Sequence, residues 1–213
     1  VVIGGATQNH WSDFSTLSVE FARSRPNLIL GVPRVFEKVR NSAAANAADG
    51  GPAKAAIFAR AEKTAIAYSR ALDTPEGPSR MLAARRALFD KLVYSKIRAA
   101  IGDSVKYCIT GGSAMSHDLL HFFRGLGVTV YEGYGLTETA AAAAVDFEDQ
   151  KIGTVGRPLG GVSIRVNDEG EILIKGPILF DGYWNNDEAT AESMEDGWYN
   201  TGDLGELLET GHL

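Results

Sequence analysis

Cysteine and long apolar runs are both scarce in this 213-residue chain, and each absence excludes a class of protein. The single cysteine, Cys108, has no partner within the chain, which excludes a disulfide-stapled secreted scaffold. No run of eighteen apolar residues occurs, and no basic segment precedes an apolar stretch at the N-terminus, so neither a membrane span nor a signal peptide is visible. We therefore expect a cytoplasmic protein that meets membranes at most peripherally.

Acidic residues are few in the first half of the chain and abundant in the second. Residues 1–100 contain 15 Lys and Arg against 8 Asp and Glu, whereas residues 101–213 contain 6 against 19. Glycine is divided in the same way, with 6 of the 24 before residue 101 and 18 after it. Such an acidic half is a poor surface for nucleic acid, and its glycines allow close approach to a ligand, so we expect chemistry there and no nucleic-acid partner.

Helical periodicity dominates the first hundred residues. The apolar run 27–33 predicts a short buried strand, and residues 34–40 predict the start of a helix. The small and polar residues 41–52 predict a flexible patch, and two further helices follow it. The second of these helices is predicted to place most of its basic residues on one face. Its apolar residues are predicted to form the other face: Met81, Leu88, Phe89, Leu92, Val93, Ile97 and Ile101.

The pattern then changes to that of an α/β protein. Residues 105–110 and 128–131 predict strands, separated by a Gly-Gly turn and a helix for which Ser116 is the expected N-cap. A right-handed crossover makes such strands parallel, so the loops that follow them open at one sheet edge, where ligands bind in α/β folds. Further along, alternating apolar residues predict a hairpin over 162–175 and a small barrel-like β-rich region.

The segment 132–139 is the strongest local signal for a ligand site. Glycines on both sides of Tyr134 let the backbone bend sharply, and the Tyr134 ring offers a flat face on which a purine can stack. Thr137 supplies a hydroxyl for a phosphate, and Glu138 supplies the hard carboxylate oxygens that Mg²⁺ takes beside nucleotide phosphates. The same residues also fit a strand-ending turn with exposed polar side chains, so spacing alone leaves both interpretations open.

Three other segments are open to two interpretations each. Asp203 follows a glycine within a β segment and could accept both vicinal hydroxyls of a ribose, although such an Asp is also a common turn residue. The stretch Gly111–Ala114 permits close approach to a ligand or forms a plain tight turn. The alanine run 140–144 fits the wall of an alkyl pocket or a short packed helix.

Two histidines suggest a different chemistry. His117 and His121 lie four residues apart on one predicted helix, close to the His-Glu-x-x-His pattern of zinc proteases. Asp118 stands where that pattern has Glu, and its shorter side chain would reach a zinc-bound water poorly. A zinc metalloprotease therefore remains as an alternative to a solvated helix face.

Four blocks occur together in the order found in the adenylate-forming, AMP-binding enzymes, which this sequence resembles. They are residues 111–114, 133–138, 170–183 and 196–203. The last block, continued to Leu213, resembles the fatty-acyl-CoA synthetase signature, and residues 31–38 with the helical insertion after them resemble the long-chain branch. The resemblance implies a partial α/β nucleotide- and acyl-binding region over 1–147, with the insertion at about 41–98, and part of a β-rich subdomain over 148–213.

The resemblance also implies roles for single residues. Tyr134 would stack on adenine, Thr137 would contact the AMP phosphate as a catalytic residue, Glu138 would hold a catalytic Mg²⁺, and Asp203 would bind the ribose hydroxyls. The implied nucleotide-binding positions together are Gly111, Gly112, Ser113, Ala114, Glu132, Gly133, Tyr134, Gly135, Thr137 and Asp203.

The reaction implied by the resemblance joins a long-chain fatty acid to coenzyme A at the expense of ATP. Other adenylating ligases, for short-chain or aryl acids, and a non-catalytic nucleotide-binding remnant remain as alternatives. A phosphate loop and a C-terminal lid belong to the family pattern and are not found in residues 1–213, so we expect this piece alone to be inactive. The basic half fits anionic lipid surfaces, coenzyme A phosphates or simple solvation.

Overall fold

The computed structural model describes residues 5–13, 15–147 and 149–213, which divide into two compact units. The first unit combines residues 1–109 with 115–130, and the second combines 110–114 with 131–213. The fold is α/β, with a mixed parallel sheet and a separate small sheet, as the sequence predicts. The domain boundary at 147/148 stays a prediction. Within the described residues, no helix has the length and apolar character needed to cross a membrane.

The first unit is mainly helical. Its elements are α1 Leu17–Ser24, β1 Leu28–Gly31, α2 Pro33–Asp49, α3 Pro52–Ala71, α4 Arg80–Phe89, a π-helical turn Asp90–Tyr94, α5 Ser95–Ala100, β2 Tyr107–Thr110 and α6 His117–Gly125. Prolines open α2 and α3, where a missing N–H costs nothing. The flexible patch predicted at 41–52 is wrong, because its alanines favour helix and only Gly50 and Gly51 interrupt it.

The core of the first unit depends on close contact between α3 and α6. A Cβ added to Gly125 would lie 2.0 Å from the carbonyl oxygen of Ala65, so only glycine permits this approach. The ring of Phe123, also on α6, packs edge to face against Phe36 of α2 at 5.5 Å. Ser116 occupies the N-cap position of α6, but its side chain makes no capping hydrogen bond.

A buried polar network also joins α3 to α6. The Ser69 hydroxyl lies 3.0 Å from Nδ1 of His121 and accepts a hydrogen bond from Nε of Arg124 at 2.7 Å. Arg124 also pairs with Asp73 at 2.5 Å. Burial, reinforced by the positive charge of Arg124, lowers the pKa of His121 below its ordinary value of 6.5.

This lowered pKa predicts a loss of stability in mild acid. Because folded His121 resists protonation, the free energy of unfolding falls as the pH drops below about 6.5, where the unfolded chain begins to take up the proton. Urea unfolding between about pH 7.5 and about pH 5 measures this slope. We expect His121→Gln to flatten the dependence of the free energy of unfolding on pH. The control His117→Gln, at an exposed position, should leave this dependence unchanged. Equal slopes in the unaltered protein and both variants would contradict the assignment of the effect to His121.

The apolar face predicted for the last basic helix is only partly correct. Phe89, Ile97 and Ile101 are buried, as is Tyr94, whereas Met81, Leu88 and Leu92 are exposed. The π-helical turn accounts for part of this difference, because its wider i to i+5 spacing brings Phe89 and Tyr94 to the same side with ring centroids 6.4 Å apart. Met81 and Leu88 lie before this turn, in α4, and are exposed there.

The second unit is mainly β-structure. Its elements are β3 Val130–Tyr134, a 3₁₀ turn Thr137–Thr139, β4 Ala144–Val145, β5 Arg157–Pro158, β6 Ser163–Val166, β7 Glu171–Lys175, α7 Asp187–Ser193, β8 Met194–Glu195 and β9 Trp198–Leu204. β3, β4 and β5 pair antiparallel in that order, and the separate sheet has the antiparallel order β6-β7-β9-β8.

The predicted hairpin is confirmed by the pairing of Val166 with Ile172 across its turn. The alanine run does not form a helix. Ala140 and Ala141 have positive φ, and Ala144 lies in β4. Ala143 and Ala144 are fully buried in an apolar cluster with residues of β6 and β7, including Ile164 and Ile174. Ala143 and Ala144 therefore serve packing in the second unit, whereas Ala140 and Ala141 are exposed.

Candidate functional site

The glycine-rich loop after β3 is held in a compact shape by its own residues. A Cβ on Gly135 would lie 1.7 Å from the carbonyl oxygen of Ala141, so glycine is required at this position. The buried Thr139 hydroxyl accepts the Leu136 N–H at 2.8 Å and lies 2.8 Å from the Ala141 carbonyl oxygen. Ala140 and Ala141 adopt positive φ, and the Thr139 contacts hold this strained turn in place.

The Thr139 contacts predict a measurable loss of stability. Thr139→Val keeps the shape of the side chain but leaves the Leu136 N–H without its acceptor, so we expect a loss of roughly 1–3 kcal/mol in the free energy of unfolding. Thr137→Val is the matched control, two residues away on the same turn but exposed, and should change it by less than about 0.5 kcal/mol. Urea denaturation compares them, and equal effects would contradict the interpretation.

Two motifs that lie far apart in the sequence meet at Tyr134. The Tyr134 hydroxyl donates a hydrogen bond of 2.7 Å to Oδ2 of Asp203, which is exposed on β9. Burial of the half-buried Tyr134 raises its pKa, and the Asp203 carboxylate raises it further against the opposing effect of Thr201. Tyr134 is therefore a neutral donor, and the predicted adenine and ribose residues lie side by side.

Glu138 is held by a second tyrosine. The Tyr183 hydroxyl donates to Oε1 of Glu138 at 3.0 Å and lies 3.2 Å from the hydroxyl of the buried Tyr199. Burial raises the pKa of Tyr199, and the neighbouring hydroxyl of Tyr183 and carboxylate of Glu138 add to the effect. Phe180 packs edge to face on both tyrosines, at 4.8 and 5.7 Å. An aromatic cluster thus fixes the Glu138 carboxylate.

The backbone near Glu138 is tied down as well. The Phe180 N–H donates to the Glu138 carbonyl oxygen at 2.8 Å, and the Tyr183 N–H donates to the Thr190 hydroxyl at 2.9 Å. Among the described residues, no hydrogen bond or ion pair involves Oε2 of Glu138 or the hydroxyl of the exposed Thr137. These two oxygens are available to a ligand, and a carboxylate beside a hydroxyl is a donor set that suits a hard cation with phosphate oxygens.

The other predicted glycines are close to β3. A Cβ added to Gly111 would lie 3.2 Å from the carbonyl oxygen of Gly133, so the turn after β2 runs close to this strand within the second unit. Gly112, Ser113 and Ala114 continue that turn on the surface, while Glu132 is buried in β3. The structure therefore brings Tyr134 to Asp203 and Gly111 to Gly133.

Sequence reasoning missed Thr139, Tyr183 and Tyr199 as positioning residues. Thr139 closes the loop, and the two tyrosines support Glu138. One local signal for Tyr183 was present in the sequence. The Gly-Tyr pair at 182–183 is followed seven positions later by Thr190, whose hydroxyl accepts the Tyr183 N–H. Nothing local identifies Glu138 as the partner of a tyrosine 45 positions away.

The alternative zinc chemistry is not favoured. His121 is buried and engaged with Ser69, while His117 is exposed. Across residues 5–13, 15–147 and 149–213, no group of three or more His, Cys, Asp and Glu side chains is placed to hold a metal ion. His121 is instead part of the buried polar network between α3 and α6.

Comparison with protein families gives one match that covers most of the chain. The family model described as AMP-binding enzyme matches residues 1–184. Among curated proteins, the long-chain-fatty-acid–CoA ligase FadD15 of Mycobacterium bovis is 48% identical over 203 residues, which is 95% of this chain and 33% of that protein. Long chain acyl-CoA synthetase 4 of Arabidopsis thaliana is 33% identical over 98% of this chain and 33% of its own length. The chain thus spans about a third of the length of these relatives.

Solved structures agree on the fold. O-succinylbenzoate coenzyme A synthetase of Bacillus subtilis, in complex with ATP and magnesium ion, matches with a TM-score of 0.60 over 94% of this chain and 33% of that one, at 21% identity. The N-terminal domain of FACL13 from Mycobacterium tuberculosis also gives a TM-score of 0.60 and 21% identity, over 94% of this chain and 41% of that one. At this identity the likeness concerns the fold alone.

Proposed function

Because the chain belongs to the AMP-binding enzyme family, we propose that it is the central part of a long-chain fatty-acid–CoA ligase. In the first step a carboxylate oxygen of the fatty acid attacks the α-phosphorus of ATP, and pyrophosphate leaves. In the second, the coenzyme A sulfur attacks the acyl carbon, and AMP leaves. The observation that carries the proposal is the 2.7 Å hydrogen bond that pairs Tyr134 with Asp203, a ring for a base beside a carboxylate for a sugar.

Tyr134 and Asp203 bind and orient the nucleoside. The Tyr134 ring supplies the stacking face, and its hydroxyl remains protonated and holds Oδ2 of Asp203. Each carboxylate oxygen accepts more than one hydrogen bond, so Asp203 keeps capacity for both ribose hydroxyls while bound to Tyr134. Gly111 to Ala114 border the adenine and acyl pockets in this proposal, where backbone without bulky side chains allows close approach.

Thr137 and Glu138 act at the phosphates. The free Thr137 hydroxyl contacts the α-phosphate, and the free Oε2 of Glu138 fits one ligand position of a magnesium ion. Magnesium, when bound, neutralises the charge that develops on the phosphoryl oxygens. The contribution of the chain is to keep the Glu138 carboxylate in place through Tyr183 and through the backbone bond from Phe180.

The substrate class and location complete the proposal. The 48% identity to a long-chain-fatty-acid–CoA ligase supports a long acyl chain over an aryl or short-chain acid. The substrates are then a long-chain fatty acid, ATP and coenzyme A. A cytoplasmic location belongs to the same proposal and is supported by the single cysteine, which is buried.

Carboxylate-dependent exchange between ATP and pyrophosphate tests the proposal directly. In the full-length polypeptide that carries this chain, we expect exchange that rises with the chain length of the acid and stops when magnesium is removed. A maximum with acetate or with an aryl acid would transfer the assignment to another ligase of the family. Tight nucleotide binding without exchange for any acid would indicate a non-catalytic remnant. We also expect the 213-residue piece alone to give no exchange.

A further inference from the structure

Asp203 lies in a β-bulge, where β9 departs from regular pairing with β7. Three residues of β9, 201–203, lie there opposite a single residue of β7, Ile172. A bulge of this kind bends its strand and changes the direction of the side chains that it contains. In this molecule it presents on the surface the carboxylate that accepts the Tyr134 hydroxyl. The conformation of the bulge therefore determines where the Asp203 carboxylate lies.

One backbone group of the bulge depends on a side chain of β7. A bulged residue has no regular partner in the strand ladder, so its N–H must find another acceptor. The Gly202 N–H donates to Oε1 of Glu171 at 2.9 Å. Gly202 has a φ of +73°, in the left-handed region that glycine enters without strain. Glu171 thus holds the residue that directly precedes Asp203.

Thr201 makes the second tie within the bulge. Its hydroxyl donates to the Ile172 carbonyl oxygen at 2.7 Å and accepts the Asp203 N–H at 3.1 Å. These two bonds replace the strand pairing that the bulge interrupts. Side chains of Glu171 and Thr201 together therefore fix the backbone on both sides of Gly202.

The hairpin turn before β7 holds Glu171 in its turn. Oδ1 of Asn167 accepts the Glu171 N–H at 2.8 Å and the Glu169 N–H at 3.1 Å. Nδ2 of Asn167 donates to Oε2 of Glu171 at 3.5 Å. The Glu171 carboxylate is therefore held on one oxygen by the hairpin turn and on the other by the bulge.

We propose that Glu171 is a positioning residue for ribose recognition, which acts through the bulge on Asp203. This inference rests on the proposed function only in taking Asp203 as the ligand of the ribose hydroxyls. Glu171 itself makes no contact with the nucleotide in this proposal. Without its carboxylate, Gly202 lets the bulge take other conformations, in which Asp203 no longer faces both hydroxyls in hydrogen-bonding geometry.

Equilibrium binding of ATP and of 2′-deoxy-ATP to the full-length polypeptide tests this role without requiring turnover. We expect Glu171→Ala to raise the Kd for ATP about tenfold and to reduce the preference for ATP over 2′-deoxy-ATP. Glu171→Gln keeps an oxygen that accepts the Gly202 N–H, so it should bind like the unaltered protein. Glu169→Ala removes an exposed carboxylate of the same hairpin and should also bind normally. A loss of stability alone would lower the number of binding sites and leave the ratio of the two Kd values unchanged.

A double variant tests whether Glu171 acts through Asp203. In an Asp203→Ala background, Glu171→Ala should cause no further rise in Kd, because the group that it positions is gone. Gly202→Ala disturbs the same bulge without a steric clash, since the added Cβ would meet no atom within 4 Å. Its φ of +73° is unfavourable for alanine, so we expect it to reproduce the reduced preference for ATP.

Three results would overturn the role of Glu171. They are an unchanged preference for ATP in Glu171→Ala, a Glu171→Gln variant as weak as Glu171→Ala, and Kd increases that multiply in the double variant. Pyrophosphate exchange measured on the same proteins tests the proposed function separately. If the unaltered protein binds ATP but gives no exchange, the adenylation proposal fails, and the Kd ratios still decide the role of Glu171.

Discussion

Glu138→Ala in the full-length polypeptide is expected to lower kcat for acyl-adenylate formation by roughly 10²–10³-fold while leaving the KM for ATP little changed. The physical reason is that a cation held at the phosphates by the Glu138 carboxylate stabilises the transition state more than the ground state, because negative charge moves onto the leaving pyrophosphate in that step. In the proposed site, the ground-state nucleotide would keep its contacts to Tyr134 and Asp203. Single-turnover measurement of adenylate formation, over a range of magnesium concentrations, separates kcat from binding.

Two further variants separate the charge of Glu138 from its structural role. Glu138→Gln keeps the acceptor for the Tyr183 hydroxyl but removes the negative charge, so we expect it to be nearly as slow as Glu138→Ala. Tyr183→Phe keeps the charge and removes the donor 3.0 Å away, so we expect roughly a tenfold loss together with a higher magnesium requirement. A Gln variant with unaltered kcat would show that the charge is not used and that the metal assignment is wrong.

The parts of the site that could be predicted from sequence are those with local causes. Gly135 is required because its own loop folds back to within van der Waals reach at Ala141, only six positions later. The hairpin between β6 and β7 follows from alternation around a short turn, and the two strands pair antiparallel there. Such features depend on steric contacts between residues close in sequence, so the types of those residues are enough to predict them.

The parts that could not be predicted depend on tertiary contacts. Tyr183 is separated from Glu138 by 45 positions, and the two segments are joined by tertiary contacts, among them the Phe180 N–H, which donates to the Glu138 carbonyl oxygen at 2.8 Å. In the first unit, regular helical spacing predicts one apolar face, but the π-helical turn rotates Tyr94 into the core and leaves Leu92 in solvent. A single inserted residue in a helical turn is invisible to a periodic pattern.

The second large effect is expected for Asp203→Ala, which should raise the KM for ATP by roughly a hundredfold with a much smaller change in kcat. This variant loses two hydrogen bonds from ribose hydroxyls to the carboxylate. A hydrogen bond to a charged group contributes about 1.5–3 kcal/mol to the free energy of binding. Because the nucleoside lies remote from the reacting phosphorus, the loss affects ground state and transition state alike. Steady-state kinetics with ATP as the varied substrate measure both constants.

Substrate analogues make this prediction specific to the ribose. The unaltered protein should prefer ATP to 2′-deoxy-ATP, and Asp203→Ala should lose that preference, because no carboxylate is left to recognise the hydroxyl. Tyr134→Phe keeps the stacking ring and removes only the 2.7 Å bond to Asp203, so it should retain the preference while raising KM modestly. If Asp203→Ala still discriminated against 2′-deoxy-ATP, then Asp203 would serve only to hold the Tyr134 hydroxyl, and Tyr134→Phe would have to reproduce its entire effect.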